Sequence, residues 1–431
     1  MTEKEKKLIK TKNVTKRRVY PVVFFDIGRK KNTVMVGIEE AGAFALSRIF
    51  TFEPRAACTL ADTLGSCAAI FLMDAKELSQ TMGANIKYKE AISAVNLDRT
   101  ASQLQQILDG KASFGYGGWG GECRYLTRFS PDYPPLLREC PDGPLGLFVW
   151  SCSSPADVFG QQECVSIVGT RDISPYGTSW CRKTVQALSS SRQRPTIVSG
   201  LAYGVDICAH RTALECDLPT IAVLGTGMWR IYPSAHEKDA REIVSREGCA
   251  IVSEFPPDAG VLPTNFLSRN RIIAGLSRST LLVESKLRGG GMTTARQASS
   301  YNRDVFALPG RNDDLRSQGC NQLIQMRIAE PMTSCTDLFR ALGYKAAAGG
   351  GNCIAAPANL KTFYGGSLDS HKIGWMHRIM GVVGKKGAAG IEDVAQQCGL
   401  PLRDVSYLCS LLEADGFLSI DILQRCSLKI N

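Results

Sequence analysis

The sequence predicts an α/β chain: a largely parallel sheet with helices on both faces, preceded by a small helical domain and followed by a second helical unit. Three observations support this. From Val165 onward short apolar runs alternate with helical segments, at Val165–Val168, Thr196–Ser199, Thr220–Leu224, Ala250–Ser253, Thr280–Val283 and Val305–Leu308. Strands separated by helices pair in parallel, because a parallel neighbour is reached only through a crossover. Between Val36 and about Gln106, apolar residues recur at helical spacing in Ala41–Ile49, Thr59–Phe71 and Asp74–Met82. Finally, the run AAAGGGNCIAAPAN and its surroundings separate the alternating region from the last sixty residues.

In order, residues 1–34 read as a basic, flexible tail. The stretch from Met1 to Lys31 holds 11 Lys and Arg against Glu3, Glu5 and Asp26, and so carries +8 of the chain's +10. Such a tail is either a solvated segment or a nucleic-acid arm, and translation starting at Met35 is a further alternative. Residues 35–110 form the helical domain. A Gly-rich stretch, Gly115–Gly121, leads into RYLTRFSPDYPPLLRECPDGPLGLFVW, whose prolines forbid a long helix and favour extended packing on a neighbour. The sheet domain covers 122–335, the linker 343–370 and the last unit 371–431.

With 431 residues the chain calls for two to four domains. Its 44 % hydrophobic and 21 % charged residues exclude a disordered or fibrous protein, and no apolar run approaches the roughly 18 residues of a membrane helix. Sixteen cysteines at irregular spacing, with no CxxC pair and no secretory segment, read as reduced thiols of a cytoplasmic protein. Cys208, His210 and Cys216 match no zinc spacing, so no metal is expected.

Three glycine-containing loops follow strands. In VSIVGTRDISPYG, Gly169 lets a ligand approach the backbone, Thr170 and a helix beginning near Tyr176 or Gly177 offer amide donors, and Arg171 offers a fork for phosphate. In TIVSGLAYGVD, Ser199-Gly200 and Gly204 repeat the pattern, with Asp206 as a helix cap. After the strand ending at Glu284, Gly289-Gly290-Gly291 with Thr293 and Thr294 opens a third helix. From Arg269 to Arg311 eight basic residues face two acids, a +6 cluster in which Arg269, Asn270 and Arg271 stand at an expected strand–helix junction. Neither of the first two loops carries GxGxxG, and no GxxxxGK[ST], HExxH or GxSxG occurs, so no cofactor and no catalytic residue is assigned.

In sequence order, DYPPLL, IVGTR, SGLAYGVD with His210, TIAVLGTG, SEFPP, FLSRNRIIAGLS, GGGMTTA and FALPG resemble the DNA-processing protein A (DprA, or Smf) family over roughly Arg124 to Pro331. The resemblance implies an extended Rossmann-like, doubly wound domain that binds single-stranded DNA, and the leading expectation is a binder that is not an enzyme. It also implies a homodimer that loads the recombinase RecA onto incoming strands in natural transformation. The family's phosphate-binding elements fall on Gly169, Thr170 and Arg171, on Ser199 and Gly200, on Arg269, Asn270 and Arg271, and on Gly289 to Thr294. Two positions depart from the family: Tyr203, beside Gly204, replaces a frequent basic residue and offers a stacking face, and Gly289-Gly290-Gly291 replaces Ser-Gly-Ser. At the helical start, FTFEPRAAC stands where a helix-hairpin-helix-like module carries its Gly-rich hairpin.

The C-terminal unit reads as a winged helix, with helices near Met376–Val383, Ile391–Cys398 and Pro401–Ala414 and a wing after Gly416. Its third helix mixes Arg403 with Asp404 and Glu413, so protein contact competes with DNA contact. A nucleotide-processing enzyme acting on a mononucleotide is the alternative function, but the PGGxGT-type loop of such enzymes is absent: Pro309-Gly310 is followed by Arg311-Asn312. A RecA-binding scaffold without DNA contact is a third reading.

Overall fold

The apolar runs after Val165 become strands because each buries alternate residues against opposite faces of one sheet. The computed structural model describes residues 36–82, 86–110, 118–160, 163–344, 360, 369–386, 389–415, 417–421 and 424–428; the basic tail, most of the 343–370 linker and Gly416 lie outside these. Among the described residues, five helices precede the sheet: α1 (Ile38–Ile49), α2 (Pro54–Leu64), α3 (Ala75–Met82), α4 (Ile86–Ser93) and α5 (Leu97–Asp109). The single helix expected over Thr59–Phe71 is two elements. Gly65 adopts the left-handed conformation that ends α2, and a 3-10 turn follows at Ala69–Leu72.

The sheet region then runs β1 (Glu122–Thr127), α6 (Pro135–Glu139), β2 (Gly146–Ser151), α7 (Pro155–Phe159), β3 (Cys164–Val168), α8 (Pro175–Ser189), β4 (Thr196–Ser199), α9 (Val205–Glu215), β5 (Thr220–Val223) and α10 (Glu237–Ser245). It continues with β6 (Ala250–Ser253), α11 (Pro263–Leu276), β7 (Ser279–Leu282), α12 (Gly290–Ser300), β8 (Asp304–Ala307), α13 (Gln318–Gln325), β9 (Glu330–Pro331) and α14 (Cys335–Leu342). The nine strands lie in the order β1-β2-β6-β5-β4-β3-β7-β8-β9. From β6 to β9 all neighbours are parallel, while β2 pairs antiparallel with β6 and with β1. The Pro-rich passage therefore contributes a two-stranded edge, Glu122 opposite Ser151 and Thr127 opposite Gly146, a pairing that its prolines conceal.

Alternation is strict in the parallel strands. Val168, Val198, Ile221, Val223, Val252 and Leu282 pack with α6, α11, α12 and α13 on one face. Ile167, Ile197, Leu281 and Phe306 pack with α8, α9 and α14 on the other. Each such side chain removed from water contributes about 1.5–3 kcal/mol. The strand order reverses between β3 and β7: the chain moves outward through β4, β5 and β6, then returns to build β7 and β8 beside β3. Open α/β sheets form their ligand crevice at the C-terminal ends of the strands flanking such a reversal.

The N-terminal helices share a core with this sheet. Phe44 of α1 meets Tyr125 and Phe148 edge-on at 6.2 and 6.3 Å, and Trp119, Trp150 and Trp229 form an aromatic column. Buried Arg128 reaches Asp62 of α2 through two bonds of 2.8 and 3.1 Å. After the linker, α15 (Ser370–Lys386), β10 (Ala389–Gly390), α16 (Ile391–Cys398), α17 (Leu402–Ala414), β11 (Leu418–Ile420) and β12 (Arg425–Leu428) close around a core of their own, with the antiparallel sheet β10-β12-β11. No helix among the described residues is long and apolar enough to cross a membrane.

The sheet domain buries several polar residues, His210 among them. His210 is fully buried, its Nδ1 2.7 Å from Thr220 Oγ1. That hydroxyl donates to the Ile197 carbonyl at 2.8 Å, so it accepts from the imidazole Nδ1–H. Burial pulls the His210 pKa down to about 3 from 6.5. The unfolded chain therefore binds the extra proton between these values, and stability falls as pH drops below about 6.5. We expect the melting temperature to decline more steeply between pH 7 and 5 in the native chain than in His210→Gln; parallel declines in thermal melts would remove His210 as the cause.

Candidate functional site

A cleft of about 630 Å³ opens where the reversal predicts it, between the loops that follow β3 and β7. Its floor and one wall come from Gly169 to Asp172, from Ser285, Lys286 and Arg288, and from Gly289, Gly290, Gly291 and Thr294 at the start of α12. Tyr232, Val261, Pro263, Phe266 and Leu267 form an apolar wall, and the α11 residues Arg269, Asn270 and Ile273 also line it. Tyr232 leans on Phe266 with ring centres 5.4 Å apart.

Glycine is required where these loops meet. A Cβ on Gly291 would lie 2.7 Å from Leu282 Cδ1 and 3.2 Å from the Gly169 Cα, and one on Gly169 would lie 2.5 Å from Val205 Cγ2. Gly204 has φ +77°, and a Cβ there would meet the Thr170 carbonyl at 2.2 Å. Gly290 differs: nothing crowds it, and only Asn270 Nδ2 lies at 4.0 Å. The first-turn amides of a helix have no intrahelical acceptor, so the α12 N-terminus presents donors and the positive end of its dipole to the cleft.

The α8 N-terminus does not. The loop sequence predicts that its amides face a ligand, but the buried carboxylate of Glu284 occupies it, accepting from Ser174 N at 2.9 Å and from the Ser174 hydroxyl. Gly177 makes room for that carboxylate. The Glu284 carbonyl also accepts from Thr170 N at 2.7 Å, so one residue fastens the Arg171 loop to β7.

Arg269 and Arg271 lie within α11, two turns past its start, and not at a strand–helix junction. Arg269 is buried and donates through Nη1 to the carbonyls of Gly200, at 2.7 Å, and Val223, cross-linking the ends of β4 and β5. Burial pulls its pKa down to about 10, opposed by the nearby Asp206 carboxylate; at neutral pH it remains charged. Asp206 is not a cap, since Gly204 holds that position; its carboxylate accepts from Gly200 N at 3.2 Å, and burial raises its pKa. Arg271 is buried away from the cleft in an ion pair with Glu254.

The remaining candidates divide in the same way. Ser199 is buried and donates to the Ile167 carbonyl at 2.6 Å. Ser199, Gly200, Gly204 and Thr293 are absent from the cleft lining. Tyr203 is exposed outside it, edge-on to His236 at 4.8 Å. The +6 cluster also disperses: Arg271 pairs with Glu254, Arg278 with Glu163, Arg303 with Glu139 and Arg311 with Asp313. Arg171, Lys286 and Arg288 are left in the cleft with no carboxylate partner among the described residues. Lys286, Arg288 and the aromatic pair Tyr232 and Phe266 escaped sequence reading as individual site residues, although the two cations sit immediately before the third glycine loop.

The profile of the family described as DNA recombination-mediator protein A matches residues 124–343. Protein Smf of Escherichia coli is 42 % identical over 291 residues, covering 67 % of this chain and 72 % of that protein. Protein Smf of Synechocystis sp. is 43 % identical over 220 residues, so the chain spans about half of that relative (54 %) and is itself covered to 51 %. The X-ray structure of DNA processing protein A from Streptococcus pneumoniae superposes with a TM-score of 0.57 at 27 % identity, covering 70 % of this chain and 97 % of that one.

The two neighbouring glycines of α12 should respond differently to the same change. Gly291→Ala forces a methyl against Leu282 and the Gly169 backbone and should cost about 1–3 kcal/mol of stability in denaturant unfolding. Gly290→Ala should unfold like the native chain. Equal losses would contradict the packing described.

Proposed function

The chain belongs to the DNA recombination-mediator protein A family, and from that membership and the chemistry of the cleft we propose that it binds single-stranded DNA. The carrying observation is the set of three cations, Arg171, Lys286 and Arg288, which have no carboxylate partner among the described residues and surround the open N-terminus of α12. Such a set suits backbone phosphates. The opposite wall, with Tyr232 and Phe266, suits unstacked bases, which a duplex would keep paired. The cations meet phosphate and the aromatic wall meets base faces, so affinity is chiefly electrostatic and tolerant of sequence. The protein acts by holding the strand, without a catalytic step of its own.

We further propose a cytoplasmic setting and the processing of incoming DNA in transformation, with a homodimer passing the strand to a RecA recombinase. The name "DNA processing protein A" of the Streptococcus pneumoniae structure supports the DNA-processing part; transformation, the handover to RecA and the dimer come from the family resemblance, and the cytoplasmic setting from the cysteine pattern. We read residues 35–110 as a helical module of helix-hairpin-helix type, 122–335 as the Rossmann-like DNA-binding domain and 371–431 as a winged helix. In the last unit, three helices and a three-stranded antiparallel sheet in the order α-β-α-α-β-β support that reading.

Gel shifts with the full chain test the central claim. Single strands should bind well ahead of duplex at low salt, with affinity falling steeply as salt rises. Arg171→Ala should weaken all single-stranded sequences alike and flatten the slope of log affinity against log salt by about 0.7. Absent binding, or equal binding to duplex, sinks the proposal.

A further inference from the structure

The cleft holds an acid directly beside its most useful cation. Asp172 follows Arg171, is exposed, and lines the cleft. A free carboxylate there would cancel much of the Arg171 field and repel a phosphate, since unit charges a few ångströms apart at a surface interact appreciably. Arg316 holds that carboxylate. Its Nε donates to the Asp172 carbonyl at 3.0 Å and to Oδ2 at 3.2 Å, and its Nη2 donates to Oδ2 at 3.1 Å.

Arg316 does not line the cleft; it belongs to a neighbouring cavity of about 450 Å³ that shares Asp172 and Lys286 with it. That cavity has Lys286, Arg311 and Arg316 against Asp172, Asp313 and Asp314, a balanced set with no surplus charge to collect phosphate. Arg316 is anchored on its other side as well. Its carbonyl accepts from Ser285 N at 2.6 Å, and its own amide donates to Asp314 Oδ1 at 2.9 Å. The side chain therefore spans from the β7 loop to the β3 loop from outside the cleft.

We propose that Arg316 is a positioning residue for the cleft: it neutralises Asp172 and keeps it turned from the ligand, leaving Arg171 to meet phosphate. This rests on the reading of the cleft as a single-strand site. An exposed ion pair adds little to stability, so its effect should appear in binding and not in the melting temperature.

A double-mutant cycle on the full chain tests this, read by fluorescence anisotropy with a labelled polythymidine oligonucleotide. Arg316→Ala should weaken binding roughly tenfold. Adding Asp172→Asn should restore affinity to within about threefold of the native chain, and Asp172→Asn alone should bind at least as well as native. Arg316→Gln removes the charge with less loss of side chain and should be rescued in the same way, which keeps the test available if the alanine variant does not fold. Native-like binding by Arg316→Ala, or a loss that Asp172→Asn does not rescue, overturns the inference; the second result would make Arg316 a direct ligand contact or a purely structural residue. Failure of the native chain to bind would strike the underlying reading of the cleft instead.

Discussion

A carboxylate buried as completely as that of Glu284 must be matched by donors, and the match it finds organises the ligand-binding end of the sheet. Its partners are the hydroxyl and amide of Ser174, at the cap of α8. Because Glu284 follows β7 while Ser174 follows β3, the bond closes the gap at the reversal of strand order, and the Thr170 amide on the Glu284 carbonyl closes it a second time. The α8 dipole is satisfied internally. The α12 dipole, beginning at three glycines, faces the cleft.

Arg269 plays the corresponding part on the other side. A guanidinium this deep is costly unless its donors are used, and Nη1 serves the Gly200 and Val223 carbonyls at the ends of β4 and β5. The basic residues most conspicuous in the sequence are thus largely framework, while the cations free to meet a ligand, Arg171, Lys286 and Arg288, belong to short loops held by that framework.

The difference between those two sets explains what could be read from sequence. Thr196–Ser199 and Ala250–Ser253 coincide with their expected bounds, and the other four expected strands fall within one residue of theirs, because each is a fully buried run bounded by turn residues. The glycine loops were legible for a similar local reason. The Arg269–Arg311 charge cluster was misleading because pairing is not local: Glu254, Glu163 and Glu139, which neutralise Arg271, Arg278 and Arg303, all lie outside the counted stretch. β2 escaped notice because the prolines around it marked turns, while its pairing depends on β6, about a hundred residues later. The Glu284–Ser174 bond is equally non-local, so no linear pattern could show which of the helix N-termini would remain open.

The aromatic column and the Arg128–Asp62 bridge bear on how this architecture can be taken apart. Sequence composition changes near residue 110, yet Phe44 on one side of that point is packed against Tyr125 and Phe148 on the other. A segment whose interior is half supplied by its neighbour is not an exchangeable module. In lineages descended from such a chain, the helices and the antiparallel edge of the sheet would have to be inherited, lost or remodelled together. The C-terminal unit, with a core of its own, takes none of its apolar interior from the sheet and is not bound by that constraint.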